Sequence, residues 1–291
     1  MTRLWQFANS VHAGSILLRP GGFAIELRTT GTGWMDRRHN PGRRRGLTSA
    51  AAFAMLLATL RWTGAWAGGP PAALDQWARS LLELNRRLAA GRVDVTGWQD
   101  EVAVLNRSVP VPEIVGYLDI DRLVDRFHYS SFLADYADPL LPSHVTGARG
   151  PWFLRVFGMR RGGAIIPHVH NHMVSAHLVV SGSFRARTHD RVSDEAGAVL
   201  LRPSLDSSIV RGDVITMSDR RDNQHWLVAL EDRSVTFDVG VVDLPASWRY
   251  GHAANRSNMI FVDAGRKPES DGLVVAPVMS FEACAAKYAT G

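Results

Sequence analysis

Apolar and polar positions along this chain follow two different periods, and the change between them falls near residue 150. Upstream, Leu74, Trp77, Leu81, Leu84 and Leu88 recur at intervals of three and four between Pro70-Pro71 and Gly91. That spacing places all five on one helix face, with proline at the entry and glycine at the exit. Thr96-Gly97-Trp98-Gln99 has the spacing of a capping box; Val102 and Leu105 continue the helical period until Pro110 and Pro112 interrupt it. A further helix is expected from Asp121 to about Phe127, with Leu123 and Val124 inward. Trp77, Trp98, Phe127, Tyr129 and Phe132 read as packing residues of this segment, 68–145, which is expected to pack on the outside of the β-rich region C-terminal to it.

Downstream the period drops to two. The runs Trp152–Met159, Ala164–His170, Val174–Val180, Ser183–Thr188, Ser208–Val210, Asp213–Met217, His225–Ala229 and Ser234–Val242 are short, β-rich and punctuated by glycine. Such a series, with no helical crossover in it, indicates a mainly β fold, a barrel or jelly roll over 146–247, and argues against parallel doubly wound and TIM architectures. Beyond Pro245, Met259-Ile260-Phe261-Val262-Asp263 reads as a strand and Phe281–Ala286 as part of a terminal helix. This last part, 248–291, is expected to cover a barrel edge or a homodimer seam.

The β-rich part also carries the chemistry. His168 and His170 are two apart on one strand, so both side chains point to the same face, near enough to hold one ion as a pair. His225 opens a separate strand and supplies a third imidazole. A lone histidine is more often a hydrogen-bonded structural residue, but this combination favours a metal. His177 shares the face of Ser175 and is read as inward, with three roles open: fourth ligand, general base, or interior residue. His172 is equally compatible with hydrogen bonding near the site or exposure, and His189 beside Asp190 reads as a turn residue.

Charge and cysteine content narrow the classes. The net charge of +5 would suggest nucleic acid, but residues 1–67 hold nine Arg against Glu26 and Asp36, a surplus of seven, so the rest of the chain is near −2. No nucleic-acid partner is expected. Cys284 is the only cysteine, which excludes an intrachain disulfide and a cysteine-rich metal site; its surroundings read as a helix and its thiol as buried. No Gly-rich phosphate loop or Gly-x-Ser-x-Gly occurs. Arg43-Arg44-Arg45-Gly46-Leu47, the 12-residue apolar run Ser49–Leu60 and Ala65-Trp66-Ala67 follow the order of an export signal, of twin-arginine type, with cleavage after Ala67. The run is shorter than the roughly 20 residues a membrane span needs, so no integral membrane segment is expected. Two readings stand side by side: a periplasmic protein with a removable leader, or a cytoplasmic one in which 47–60 is a buried helix.

Gly162, His168, His170 and Gly182 match the first motif of the cupin superfamily, G-x5-H-x-H-x(3,4)-E-x6-G, and Gly212-Asp213 with His225 resembles its second. The similarity covers about 152–245 and implies an RmlC-like jelly roll. Ser175 stands where the motif has its glutamate ligand, so the chain resembles the three-histidine, cysteine dioxygenase-like branch. That resemblance implies Fe(II) on His168, His170 and His225, and a dioxygenase consuming O2 and a small molecule such as a thiol. It departs from the branch at Val242 and Gly240, which stand where the branch has a tyrosine and a supporting histidine. Arg149 and Arg155 are the substrate candidates together with Ser175, and His177 is the candidate acid/base. Alternatives are a non-redox isomerase, lyase or hydrolase using Zn, Mn or Ni, and a small-ligand-binding barrel without catalysis.

Overall fold

The computed structural model describes residues 72–141, 150–254 and 258–291. The leader reading for 1–67 and the substrate candidate Arg149 lie outside the described residues.

Among the described residues four helices come first: α1 (Ala72–Ala89), α2 (Val95–Arg107), α3 (Val111–Tyr117) and α4 (Ile120–Val124). The five stripe residues of α1 are all buried. Trp98 of α2 is fully buried and its Nε1 donates to Asn85 Oδ1 of α1 at 2.9 Å, which gives the indole a polar partner inside the layer.

The capping-box expectation is corrected. Asp94 caps α2, its carboxylate accepting from the Gly97 amide at 2.6 Å and from the Thr96 hydroxyl at 3.0 Å. A carboxylate at the positive helix end does this better than a neutral hydroxyl. Gln99 is thereby released from the cap and turns to the barrel: its Nε2 donates to Thr216 Oγ1 at 3.2 Å and its Oε1 accepts from Ser218 Oγ at 2.7 Å. Nor do the two prolines only interrupt. Pro112 lies in the first turn of α3, where a missing N–H costs nothing, so an unexpected helix begins there. The helix expected over 121–127 is the single turn α4.

Eleven strands follow among the described residues: β1 (Asp135–Ala137), β2 (Trp152–Met159), β3 (Ala164–His170), β4 (Val174–Ser181), β5 (Ser183–Glu195), β6 (Ala198–Val210), β7 (Val214–Met217), β8 (Gln224–Ala229), β9 (Ser234–Val241), β10 (Met259–Phe261) and β11 (Val274–Pro277). One sheet has the order β1-β2-β9-β4-β7 and the other β10-β3-β8-β5-β6-β11, with every strand pairing antiparallel. Apart from the β5–β6 hairpin the chain changes sheet at each step from β2 to β9, so β2, β9, β4 and β7 face β3, β8, β5 and β6 across one interior. This is the jelly-roll barrel expected of a cupin.

Alternation divides each strand between two surroundings. Val156, Ala176, Leu178, Phe237 and Val239 point outward from the five-stranded sheet into the core shared with α1–α4. Phe157, Val179, Met217, Phe184 and Leu227 point into the barrel. Each such Val, Leu, Phe or Met side chain, when fully buried, contributes roughly 1.5–3 kcal/mol relative to exposure. At the β4–β5 turn Gly182 has φ +67°, and a Cβ there would come within 2.3 Å of Ser234 Oγ, so both backbone and space require glycine.

The hairpin of β5 and β6 extends well past its expected ends. Each strand has 13 residues, and polar positions such as Arg191 and Asp194 sit within β5. His189 is a buried strand residue rather than a turn residue, with Nδ1 bonded to Gln224 Oε1. At the C-terminus β10 pairs with β3, β11 pairs with β6, and α5 (Phe281–Tyr288) packs near β3. No helix among the described residues is long and apolar enough to cross a membrane.

Candidate metal centre

A single irregularity in β3 decides which side chains enter the barrel. Against β8, Ile165 pairs with Leu227, yet His168 pairs with His225, so β3 carries one residue more than its partner between these points. Pro167 lies in this bulge, where a strand tolerates a residue without an N–H. The extra residue reverses the parity beyond it. His168 and His170 face inward, while Val169 joins an outer cluster with Leu201, Ile260 and Val274.

His168, His170 and His225 are each at most 5% exposed, and one ring nitrogen from each lies within 4.8 Å of the others. Ring centroids are 4.2 Å apart for His168 and His225, and 5.1 Å for His170 and His225. His168 Nδ1 donates to the Ile166 carbonyl at 2.8 Å, which leaves Nε2 with its lone pair. That nitrogen sits 3.0 Å from His170 Nε2, while the other nitrogen of His170, Nδ1, is buried without a partner in the protein.

Burial pushes His168 down to about 4, and it holds His170 and His225 well below the ordinary histidine range, with the neighbouring imidazoles adding to the effect. All three are therefore neutral at pH 7 and present nitrogen lone pairs. The group fits a metal ion: two nitrogen donors at about 2.1 Å and a right angle on one ion would be about 3.0 Å apart, matching the His168–His170 separation. A cation there would take the place of the direct contact between these two nitrogens.

The backbone of His170 is clamped from two sides. Asn223 Oδ1 accepts its amide at 3.2 Å and Asn223 Nδ2 donates to its carbonyl at 3.1 Å. Arg191 Nη1 reaches the same carbonyl at 3.0 Å, and its guanidinium is held by Asp194 at 2.6 Å, both side chains being buried. Neither Asn223 nor Arg191 stands out in the sequence, because each acts through a main-chain atom of a strand far away in the chain. We expect Asn223→Ala to weaken metal retention about 10–100-fold, measured by competition with a chromophoric chelator; affinity equal to the parent's would show that the clamp does not position His170.

Ser175, His177 and Arg155 also face the interior, on the opposite sheet. His177 lies with its ring centroid 5.3 Å from His225 and 5.8 Å from Phe157. Its Nδ1 contacts Thr236 Oγ1 at 3.3 Å, and burial, reinforced by His168, pushes it down to about 3. Asp238 is its cross-strand partner and stands 3.8 Å from His177 Nε2. Burial pushes the Asp238 carboxyl up to about 8. Asp238 belongs to no motif in the sequence, and the signal that marks it is a lone acid in Ser234–Val242, at the parity of Thr236 and Gly240. His172 turns away, its Nδ1 bonded to the Leu244 carbonyl at 3.2 Å and its amide to Tyr250 Oη at 2.8 Å. Cys284 is buried, with its thiol pushed up to about 12, and offers no ligand.

No family model and no curated protein sequence matches the chain. Solved structures similar to it are cupin, double-stranded β-helix proteins. KdgF from Halomonas sp. is 16% identical over 38% of this chain and 78% of its own, with a TM-score of 0.28. A cupin superfamily protein from Desulfitobacterium hafniense is 10% identical over 42% and 88%, with a TM-score of 0.28. YcfD, a ribosomal oxygenase from Escherichia coli, is 20% identical over 33% and 24%, with a TM-score of 0.26. The fold is defined by the strand order and register above, and no activity follows from these likenesses.

Proposed function

We propose that this protein is a metal-dependent cupin oxygenase, with Fe(II) held by His168, His170 and His225 and with O2 and a small molecule, of which thiols are the first class to test, as substrates. One observation carries the reading: three buried neutral imidazoles converge within 4.8 Å, with Ser175 rather than a carboxylate at the place where the cupin motif has its fourth ligand. Such a set leaves a bound divalent ion its full charge and open positions, which supplies Lewis-acid and redox chemistry. The protein's own contribution is exclusion of water by the barrel and a proton-handling group, His177, beside the ligand His225.

Oxygen uptake by iron-loaded protein, followed with an electrode against a panel of thiols and small acids, tests the proposal. Uptake dependent on one class is expected; none with any compound, despite one bound iron per chain, would overturn it. The pairing of His177 with Asp238 favours one rival, a non-redox reaction in which Zn, Mn or Ni polarises the substrate and His177 moves a proton. Elemental analysis of protein purified without added metal separates the two.

A further inference from the structure

Across the barrel from the three imidazoles, the inner face of the five-stranded sheet carries polar side chains in two adjacent rows. Arg155, Asp238 and His177 are register partners on β2, β9 and β4, and form the first row. Phe153, Gly240 and Ser175 form the second on the same strands. The Phe153 ring lies so close over Gly240 that a Cβ there would come within 2.3 Å of it, so glycine at this point lets an aromatic side chain cover the row beside Ser175.

The polar atoms of these rows are unequally satisfied. Arg155 is engaged at the mouth: its Nε donates to Asp138 Oδ1 at 2.8 Å, and its guanidinium lies over Tyr136 at 4.8 Å and Phe153 at 5.4 Å. Ser175 Oγ and Asp238 Oδ1 are buried, face inward by parity, and have no hydrogen-bond partner in the protein. Folded chains seldom leave such atoms unmatched, and two of them on one inward wall facing the candidate ligands point to a recognition surface. Two contacts, 3.8 Å from Asp238 to His177 and 5.3 Å between the rings of His177 and His225, span from this wall to the candidate ligands.

We propose that this wall selects the far end of the substrate, through Ser175 and Asp238, for a hydrogen-bond donor, a hydroxyl or amino group, and disfavours a carboxylate there. The inference rests on the metal reading above and deepens it. Burial raises the Asp238 carboxyl in the metal-free protein, and an ion held by three neutral imidazoles would keep its positive charge, oppose that rise and favour the ionised form across the barrel. An ionised Asp238 accepts hydrogen bonds and repels a second carboxylate. The one cation in the row already has a carboxylate partner in Asp138. Ser175 adds a second hydrogen-bonding oxygen from the neighbouring row, next to the apolar cover of Phe153.

The test uses the full-length protein loaded with Co(II), whose visible absorption reports ligands entering the metal's coordination sphere. Imidazole compounds serve as metal anchors with different tails: 2-(imidazol-4-yl)ethanol and imidazole-4-acetate. Each is titrated into the parent, Asp238→Asn and Ser175→Ala. Chelation by a tail is common to all three proteins, so the change in preference between proteins is what is read. The parent is expected to favour the alcohol over the acetate by about tenfold more than Asp238→Asn does, the size of one hydrogen bond to a charged group, with a smaller loss in Ser175→Ala. Equal preference in all three, or tighter acetate binding in the parent than in Asp238→Asn, overturns the selection. Absence of bound cobalt by elemental analysis overturns the metal reading and this inference with it; bound cobalt with an unchanged preference overturns this inference alone.

Discussion

Replacing His170 with alanine is expected to strip the protein of metal. Affinity should fall by more than about 100-fold, because removing a group that merely braces a ligand already costs about 10–100-fold. His168→Ala and His225→Ala should behave alike, since the three nitrogens lie within 4.8 Å of one another and the loss of any one leaves two. The control is His172→Ala. Its imidazole is spent on the Leu244 carbonyl, so this variant should keep a full complement of metal. Elemental analysis of the four proteins, each refolding reversibly by circular dichroism, is the measurement. Parent-like metal content in His170→Ala would sink the assignment, as would equal loss in His172→Ala.

The second large effect concerns acid. In the metal-free protein four inward imidazoles have their protonation suppressed by burial: His168 at about 4, His177 at about 3, and His170 and His225 displaced the same way. The unfolded chain protonates its histidines near 6.5. Between pH 6.5 and pH 4 it therefore binds more protons than the fold does, so stability present above that window is lost as pH falls. His168 and His177 alone should cost roughly 3 kcal/mol each by pH 4, and the other two add to this. Since domains are stable by only about 5–15 kcal/mol, the apoprotein is expected to unfold on mild acidification.

Asp238 acts in the opposite sense. Its carboxyl, raised to about 8, makes the fold the better proton binder between about 4 and 8, so its contribution is lost as pH rises through that range. It dominates only above about pH 7, where the four histidines of the unfolded chain together bind less than about one proton, so stability should peak near neutrality. Urea unfolding of chelator-treated protein at pH 5, 6.5 and 8 checks this. Greater stability at pH 5 than at pH 6.5 would contradict the histidine account, and Asp238→Asn should flatten the alkaline side and steepen the loss on the acid side.

Much of this architecture is legible in the order of residues, because the signals there are local. The stripe Leu74 to Leu88, the alternation in Trp152–Met159 and the glycine at 182 each describe a neighbourhood of a few residues, and the fold respects them. The hairpin of β5 and β6 reads as shorter than it is for the converse reason. Its outer half carries charged residues, Arg191 and Asp194, buried against each other, so hydrophobic alternation fades where pairing continues, and His189 beside Asp190 resembles a turn until Gln224 arrives from a distant strand. Asp94 and Gln99 show the same limit at a helix start: which group caps depends on what the glutamine can reach in the barrel. In the site, the three histidines can be read from motif spacing, whereas Asn223, Arg191 and Asp238 acquire their meaning only through partners on strands distant in the chain.

The bulge at Pro167 makes the centre tolerant of chain length on one side and intolerant on the other. Ile165 and His168 are three apart in the chain but span only two positions of β8, so removing the surplus residue would leave a regular strand with His168 still opposite His225. Removing Val169 instead would make the two histidines neighbours, and neighbours on a strand look in opposite directions. One imidazole would then be turned out of the cavity, and a shell of the same outline would close on a single donor from this strand.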